Sequence, residues 1–299
     1  RHGSMRLKSI WWFRILSSLF GRQSSNLRVR VAGFDLVMHS ESPLIDNYAS
    51  HPEYSAELGR LAAAVADKYR DKILLDIGAN VGDTAAIARS MCDLPIVCIE
   101  GDPGCFRYLE QNLLGLGNAT AYCLFLGEHS ATMRVTVESE TLNATLIPNA
   151  EGTPVTLKSL DDFIEETDLE GRVKVVKIDT EGFDTKILRG GRRLLSTDRP
   201  VVCMEYNRHA LARCGEEGLD AFWGLRDLGY ESIVFYDAAG RLVLATELSS
   251  TGLVRDLHDY GQGNRGLVRY FDLCIFHGED AELARAFIAS ERLHRLRAT

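Results

Sequence analysis

The sequence contains no apolar run long enough to span a bilayer, no C-x-x-C or other metal-ligand pairing, and no internal repeat or low-complexity block. An excess of positive charge is missing as well. With a formal charge of −8 at pH 7, a nucleic-acid backbone is excluded as the main partner, because phosphate binding needs a basic face. Neutral or cationic ligands suit the chain better. Its seven cysteines (Cys92, Cys98, Cys105, Cys123, Cys203, Cys214 and Cys274) are unpatterned and mostly lie in apolar runs, which fits reduced thiols in a cytoplasmic core. At 45% hydrophobic and 25% charged residues, the composition is that of a soluble globular protein able to bury a full core, and the length allows one large domain, or one domain with small additions.

One further absence decides which cofactor class the chain can take. Residues 73–77 form a short apolar run that predicts a buried parallel strand, and residues 78–82 a tight turn into a helix from about Asp83 to Met91. A glycine turn lets a ligand approach the backbone, and the helix amino terminus favours its anionic groups. Counted from Gly78, however, Asn80 and Asp83 stand where a dinucleotide fingerprint has its second and third glycines. An NAD-linked enzyme is therefore disfavoured. Asp76, Gly78, Asn80 and Gly82 instead spell D-x-G-x-N-x-G, which resembles the S-adenosylmethionine turn of class I methyltransferases. That cofactor has no pyrophosphate, and its sulfonium and ammonium charges suit a site edged by Asp76 and Asp83.

Ahead of this turn, residues 1–4 precede Met5 and read as a remnant of expression. Residues 5–20 carry Leu7, Ile10, Trp11, Ile15 and Leu19 near helical spacing beside Arg6, Lys8 and Arg14. The expectation is an amphipathic helix, packed on the domain or a second subunit, or lying in a membrane interface, followed by a linker to residue 26. Two alternating runs, residues 27–31 and 34–38, predict a hairpin around Ala32 and Gly33, and a helix is expected from Pro52 to about Tyr69. Hairpin and helix together form a lid or a support.

Beyond the turn, residues 95–100 predict the second strand, closed by Glu100. A carboxylate there, roughly two dozen residues past Asp76, is placed to accept hydrogen bonds from the ribose hydroxyls of the cofactor. A helix carrying Phe106, Leu109, Leu113 and Leu114 leads to a third strand over residues 119–126, with Gly127 and Glu128 expected beside the adenine. Residues 132–138 and 155–157 alternate as an added antiparallel pair, with residues 143–146 in a polar loop between them.

A second informative stretch runs Val173-Lys-Val-Val-Lys-Ile-Asp-Thr-Glu-Gly-Phe-Asp184. Its strand ends at Asp179, with Glu181 and Asp184 close behind, and the next strand, residues 200–205, ends at Glu205 with His209 just beyond. Open α/β sheets place their chemistry at such carboxyl ends. Further on come a helix near residues 218–228, strands over 232–236 and 241–246, a polar loop over 249–266 and a closing helix with Leu283, Phe287 and Ile288.

The ordered set Asp76-Ile-Gly-Ala-Asn-Val-Gly82, Ile99-Glu-Gly-Asp-Pro103, Leu126-Gly127, Ser159-Leu-Asp-Asp-Phe163, Lys177-Ile-Asp-Thr-Glu-Gly182 and Arg199-Pro200 through Glu205 resembles the FkbM family of methyltransferases. The run Tyr270-Phe-Asp-Leu-Cys-Ile-Phe-His277 resembles its closing strand. The resemblance implies a Rossmann-like α/β fold, a mostly parallel doubly wound sheet with an antiparallel closing strand and added hairpins. It also implies S-adenosylmethionine-dependent O-methylation, commonly of a sugar hydroxyl on a glycan, glycolipid or glycosylated natural product. On this reading residues 71–278 are the methyltransferase domain, 27–70 its lid or support, and 279–299 a carboxy-terminal helix. Asp76, Gly78, Ala79, Asn80, Gly82, Asp83, Thr84, Glu100, Gly127 and Asp179 are the expected cofactor contacts. Phe183 stands where the family usually has histidine and Gly101 where it often has proline.

A sugar hydroxyl is a weak nucleophile whose proton must go to a base or a metal. Asp179 and Glu181 are the expected reaction centre, with Glu205 and His209 in reserve. If the carboxylates hold a metal, oxygen ligands favour magnesium or calcium over zinc. The alternative class is a catalytically idle S-adenosylmethionine-binding scaffold, which the strand-end acids argue against.

Overall fold

The structure, a computed structural model, describes residues 26–140, 143–261 and 269–298. The expected helix over residues 5–20 lies outside them. An eight-stranded sheet forms the centre, built from β3 (Ile73–Ile77), β4 (Ile96–Glu100), β5 (Ala119–Cys123), β10 (Val173–Ile178), β11 (Val201–Tyr206), β12 (Tyr230–Asp237), β13 (Leu242–Glu247) and β14 (Phe271–His277). Its order is β13-β12-β14-β11-β10-β3-β4-β5. The pairs among β11, β10, β3, β4 and β5 are parallel, while β14 runs antiparallel between β11 and β12. Every residue of β3 and β10 is buried, as expected of strands covered on both faces. The fold is the Rossmann-like class I methyltransferase fold, with chain order reversing between β3 and β10.

Two apolar layers flank the sheet. One holds Leu36, Leu61, Val65, Ala85, Leu109 and Phe287, from the hairpin β1 (Asn26–Val31) and β2 (Phe34–His39) and from α2 (Ala56–Lys68), α3 (Asp83–Met91), α4 (Pro103–Leu113) and α11 (Ala281–Ala298). The other holds Phe163, Ile187, Leu194 and Phe222, from α5 (Leu160–Glu166), α6 (Asp184–Gly190), α7 (Arg192–Thr197) and α9 (Leu219–Asp227). On that second face sits a four-stranded sheet of β6 (Phe125–Gly127), β7 (Ala131–Glu140), β8 (Asn143–Pro148) and β9 (Thr153–Ser159).

Four local expectations are corrected. The helix expected from Pro52 begins at Ala56, because Ser55 takes a left-handed φ of 57° that no helix can pass through, and a separate helix, α1 (Leu44–Ser50), precedes it. The strand expected over 119–126 divides at Leu124: β5 closes the edge of the main sheet, while β6 pairs with β9 in the second. Residues 143–146 are not a loop but part of β8, whose backbone is paired with β7. Most of the expected loop over 249–266 is a helix, α10 (Thr251–Tyr260), seated by buried Val254 and His258; residues 262–268 lie outside the described residues. Among the described residues, no helix is long and apolar enough to cross a membrane.

Candidate active site

The glycine turn is shaped by left-handed residues: Gly78 at φ 75°, Asn80 at 48° and Gly82 at 85°. Gly78 and Ala79 donate their N–H groups to the Ile99 carbonyl at 2.9 and 3.1 Å, tying the turn to β4. Beneath it Asp76, fully buried, accepts a hydrogen bond of 2.6 Å from Thr84 Oγ1, so the end of β3 is strapped to the first turn of α3. Lys177 completes this foundation. Its Nζ lies 3.3 Å from Asp76 Oδ1 and 3.4 Å from Asp179 Oδ2, and donates to the Gly78 carbonyl at 3.1 Å. Burial works against the Lys177 charge, but Asp76, Asp179 and Asp83 together hold the ammonium well above its ordinary pKa.

Glu100 stands at the end of β4 on the opposite side of the turn. Its Oε2 accepts from the Asn80 N–H at 2.8 Å and its Oε1 from the Asp102 N–H at 2.7 Å, which aims the carboxylate along the cleft. Burial raises its pKa, and the two backbone N–H groups oppose the rise. Asp102 caps α4 through Gly104 and Cys105, with Pro103 at the first helical position. Gly101 gives the cleft its wall: a β-carbon there would run into the Phe125 ring, so this glycine lets the ring lie against the backbone.

Across the cleft, residues 179–182 form a strained turn with Glu181 at φ 54° and Gly182 at φ 110°. Asp184 holds it in place by accepting from the Thr180 and Gly182 N–H groups, both at 3.0 Å. Burial, reinforced by Asp179, pushes the Asp184 carboxyl up to about 6. Glu205 is the last residue but one of β11 and accepts from Asn207 Nδ2 at 2.8 Å; burial, then Asp179 and Glu181, raise it well above the carboxylate range. Phe183 is buried with the Lys186 ammonium 4.7 Å from its ring centre, so this position supplies an apolar wall and no titratable group.

These elements enclose an open cleft of about 980 Å³. Of the residues expected in the site, Gly78, Asn80, Asp83, Thr84, Glu100, Asp179, Glu181 and Glu205 line it. Asp76, Ala79 and Gly82 shape the turn from behind, and Asp83, buried, accepts from the Tyr48 hydroxyl at 2.6 Å. Gly127 is displaced from the lining because β6 turns into the second sheet, where Leu157 covers it; Phe125 and Leu126 face the cleft in its place. His209 is exposed on α8 (Arg208–Arg213) and stands apart from the cleft. Sequence reasoning missed Lys177, Tyr54 and Phe125. The signal for Lys177 was a pair of lysines, Lys174 and Lys177, inside an otherwise apolar strand.

The residues lining the cleft suit S-adenosylmethionine. Without β-carbons, Gly78 lets the Asp179 carbonyl close on the turn and Gly101 lets the Phe125 ring lie against the backbone, and Glu100 lines the same cleft. Among the described residues, no group of three or more His, Cys, Asp or Glu side chains is arranged to hold a metal ion.

The sequence profile described as the Methyltransferase FkbM domain matches residues 76–232, more than half of the chain. No curated protein matches the sequence significantly. Among solved structures, the chain is similar to the methyltransferase FkbM of Methylobacillus flagellatus KT, at 18% identity over 54% of this chain and a TM-score of 0.39. That match spans only 39% of the M. flagellatus chain. It is also similar to P. horikoshii TYW2 in complex with MeSAdo, at 11% identity, 86% of this chain, 73% of that one and a TM-score of 0.43. A SAM-dependent methyltransferase from Aquifex aeolicus matches at 11% identity, 71% and 86% of the two chains, with a TM-score of 0.35.

Proposed function

Because the chain belongs to the FkbM family of methyltransferases, we propose that it moves the methyl group of S-adenosylmethionine to a hydroxyl of a sugar in a glycan, glycolipid or glycosylated natural product. The observation that carries this reading is that one cleft joins the Gly78 turn and Glu100 to a second wall of strand-end acids, Asp179, Glu181 and Glu205. The first group holds a nucleoside and the second handles a proton.

S-adenosylmethionine, when bound, supplies an electrophilic methyl group on a sulfonium. Glu100 would accept hydrogen bonds from the ribose hydroxyls, keeping a free lone pair on each oxygen already held by a backbone N–H. Phe125, Ile99 and Leu126 would form the apolar slot for the adenine. Asp179, its side chain 36% exposed, is the base best placed to take the acceptor's proton as the new oxygen–carbon bond forms. Lys177, 3.4 Å from its Oδ2, would fix the Asp179 carboxylate in direction. Much of the rate would come from holding the hydroxyl in line with the departing sulfur.

The test is transfer of label from methyl-labelled S-adenosylmethionine into a fractionated cell extract, followed by acid hydrolysis. Label recovered as an O-methyl sugar supports the reading. Label on protein, nucleic acid or nitrogen overturns the substrate assignment.

A further inference from the structure

The cleft continues past Asp179. A second cavity of about 490 Å³ opens between the turn ahead of α2 and the ends of β10, β11 and β14. Tyr54, Lys177, Asp179 and Glu205 line both spaces, whereas Glu100, Gly101 and Phe125 line only the first and Tyr270, Asp272 and Leu273 only the second. Asp179 and Tyr54 therefore stand at the junction. In methyl transfer the acceptor oxygen approaches the methyl carbon from the side opposite the departing sulfur. With the nucleoside on the Glu100 side, the second cavity offers room for the rest of an acceptor whose hydroxyl reaches Asp179.

The lining of this cavity is aromatic and short of usable charge. Tyr54 and Tyr270 are both half-buried, and their hydroxyls are hydrogen-bonded to each other. Tyr54 is also held from outside the cavity, by the Tyr48 ring edge-on at 5.3 Å, and Tyr48 in turn is tied to Asp83. Leu58, Met204 and Leu273 add apolar surface. An anionic group would find no free cation, because Lys177, the one base among the described lining residues, is engaged by Asp76 and Asp179, and Glu57, Glu205 and Asp272 share the wall. A cationic group gains little, since burial and neighbouring acids push Glu205 and Asp272 toward their neutral forms. Neutral carboxyls both donate and accept, as hydroxyls do. A sugar ring joins an apolar C–H face to a rim of hydroxyls, and a tyrosine meets both with an apolar body and a polar tip.

We propose that the cavity past Asp179 is the acceptor subsite, and that Tyr54 and Tyr270 are its specificity-determining residues, receiving the apolar face of an uncharged sugar ring whose hydroxyl reaches Asp179. The inference rests on the methyltransferase reading of the cleft and narrows its substrate to a neutral ring.

The experiment uses saturation-transfer NMR on the full chain saturated with S-adenosylhomocysteine. The probes are methyl β-glucopyranoside, methyl β-galactopyranoside and methyl α-mannopyranoside as neutral rings, glucuronate and glucosamine as charged rings, and sorbitol as an open chain. At least one neutral glycoside should bind at least tenfold more tightly than the charged rings and sorbitol. Tyr270→Leu, which removes the aromatic face, should weaken that glycoside at least tenfold, while Tyr270→Phe, which keeps it, should stay within twofold of wild type. S-adenosylhomocysteine affinity should stay within twofold in both variants, which also reports that they fold. Binding of none of the neutral glycosides, equal binding of neutral and charged rings, or full binding by Tyr270→Leu overturns the proposal while leaving the methyltransferase reading in place. Loss of S-adenosylhomocysteine affinity in either variant overturns it too, by assigning the cavity to the cofactor. A wild-type protein that fails to bind S-adenosylhomocysteine removes the methyltransferase reading itself, and this inference with it.

Discussion

Gly78 lies so close beneath Asp179 that a β-carbon on it would overlap the Asp179 carbonyl oxygen. This contact joins the ends of β3 and β10, the two strands between which chain order reverses, and it brings the cofactor turn and the proposed base into one cleft. Gly78 also needs its positive φ. Gly78→Ala should therefore cost roughly 3 kcal/mol of stability, from left-handed strain and backbone overlap together, and should weaken S-adenosylhomocysteine binding more than tenfold. Urea unfolding and calorimetry measure the two effects.

Lys177 supports the same junction by charge. Replacing it with Met leaves Asp76 buried without its cation, and breaking such a pair by removing one partner costs about 3–5 kcal/mol. Lys177→Met should destabilise the protein by that order, and adding Asp76→Asn should recover part of the loss. A double-mutant cycle in urea reads the coupling; purely additive losses would mean that the two charges do not support each other.

Asp184 makes stability depend on pH in a defined direction. Its folded pKa, about 6, lies above its ordinary value of 3.8, so between those pH values the native state keeps a proton that the unfolded state has released. Its contribution to stability is present below pH 4 and falls as pH rises through 6, by up to about 3 kcal/mol. Asp184→Asn removes this titration. The stability difference between wild type and variant should therefore shift against wild type from pH 4 to pH 7, and a constant difference would contradict the assignment.

Asp179 and His209 should separate cleanly in kinetics. Asp179→Asn should lower turnover about a hundredfold or more, within the range for loss of a general base. Glu205→Gln should have a smaller effect, because burial already favours its protonated form. His209→Ala should leave the rate unchanged, since the side chain is exposed away from the cleft. A rate loss at His209 would redirect the proton path.

The parts of this fold legible in the sequence were those governed by short-range pattern. Apolar runs marked β3, β10 and β11, the glycine spacing marked the turn, and acids at strand ends marked Glu100, Asp179 and Glu205. What remained hidden depended on partners distant in the chain. β5 and β6 read as one strand because nothing local shows that Phe125 leaves the sheet to pack over Gly101. The α10 helix was masked by Gly252 in its first turn and Gly261 just past its end, and its anchor, His258, has the Tyr206 hydroxyl 2.6 Å from its Nδ1, a partner distant in the chain. Glu57 carried no sequence signal at all, since only the fold buries it near Asp272.

The central claim is that the cleft over the Gly78 turn holds S-adenosylmethionine through Glu100, and calorimetric titration of S-adenosylhomocysteine into wild type and Glu100→Ala tests it directly. The account predicts one site per chain in the wild type and at least tenfold weaker binding in the variant, a loss of about 1.4 kcal/mol. Equal affinity in the two proteins would remove Glu100 from the ribose site, and absence of binding in the wild type would contradict the account as a whole.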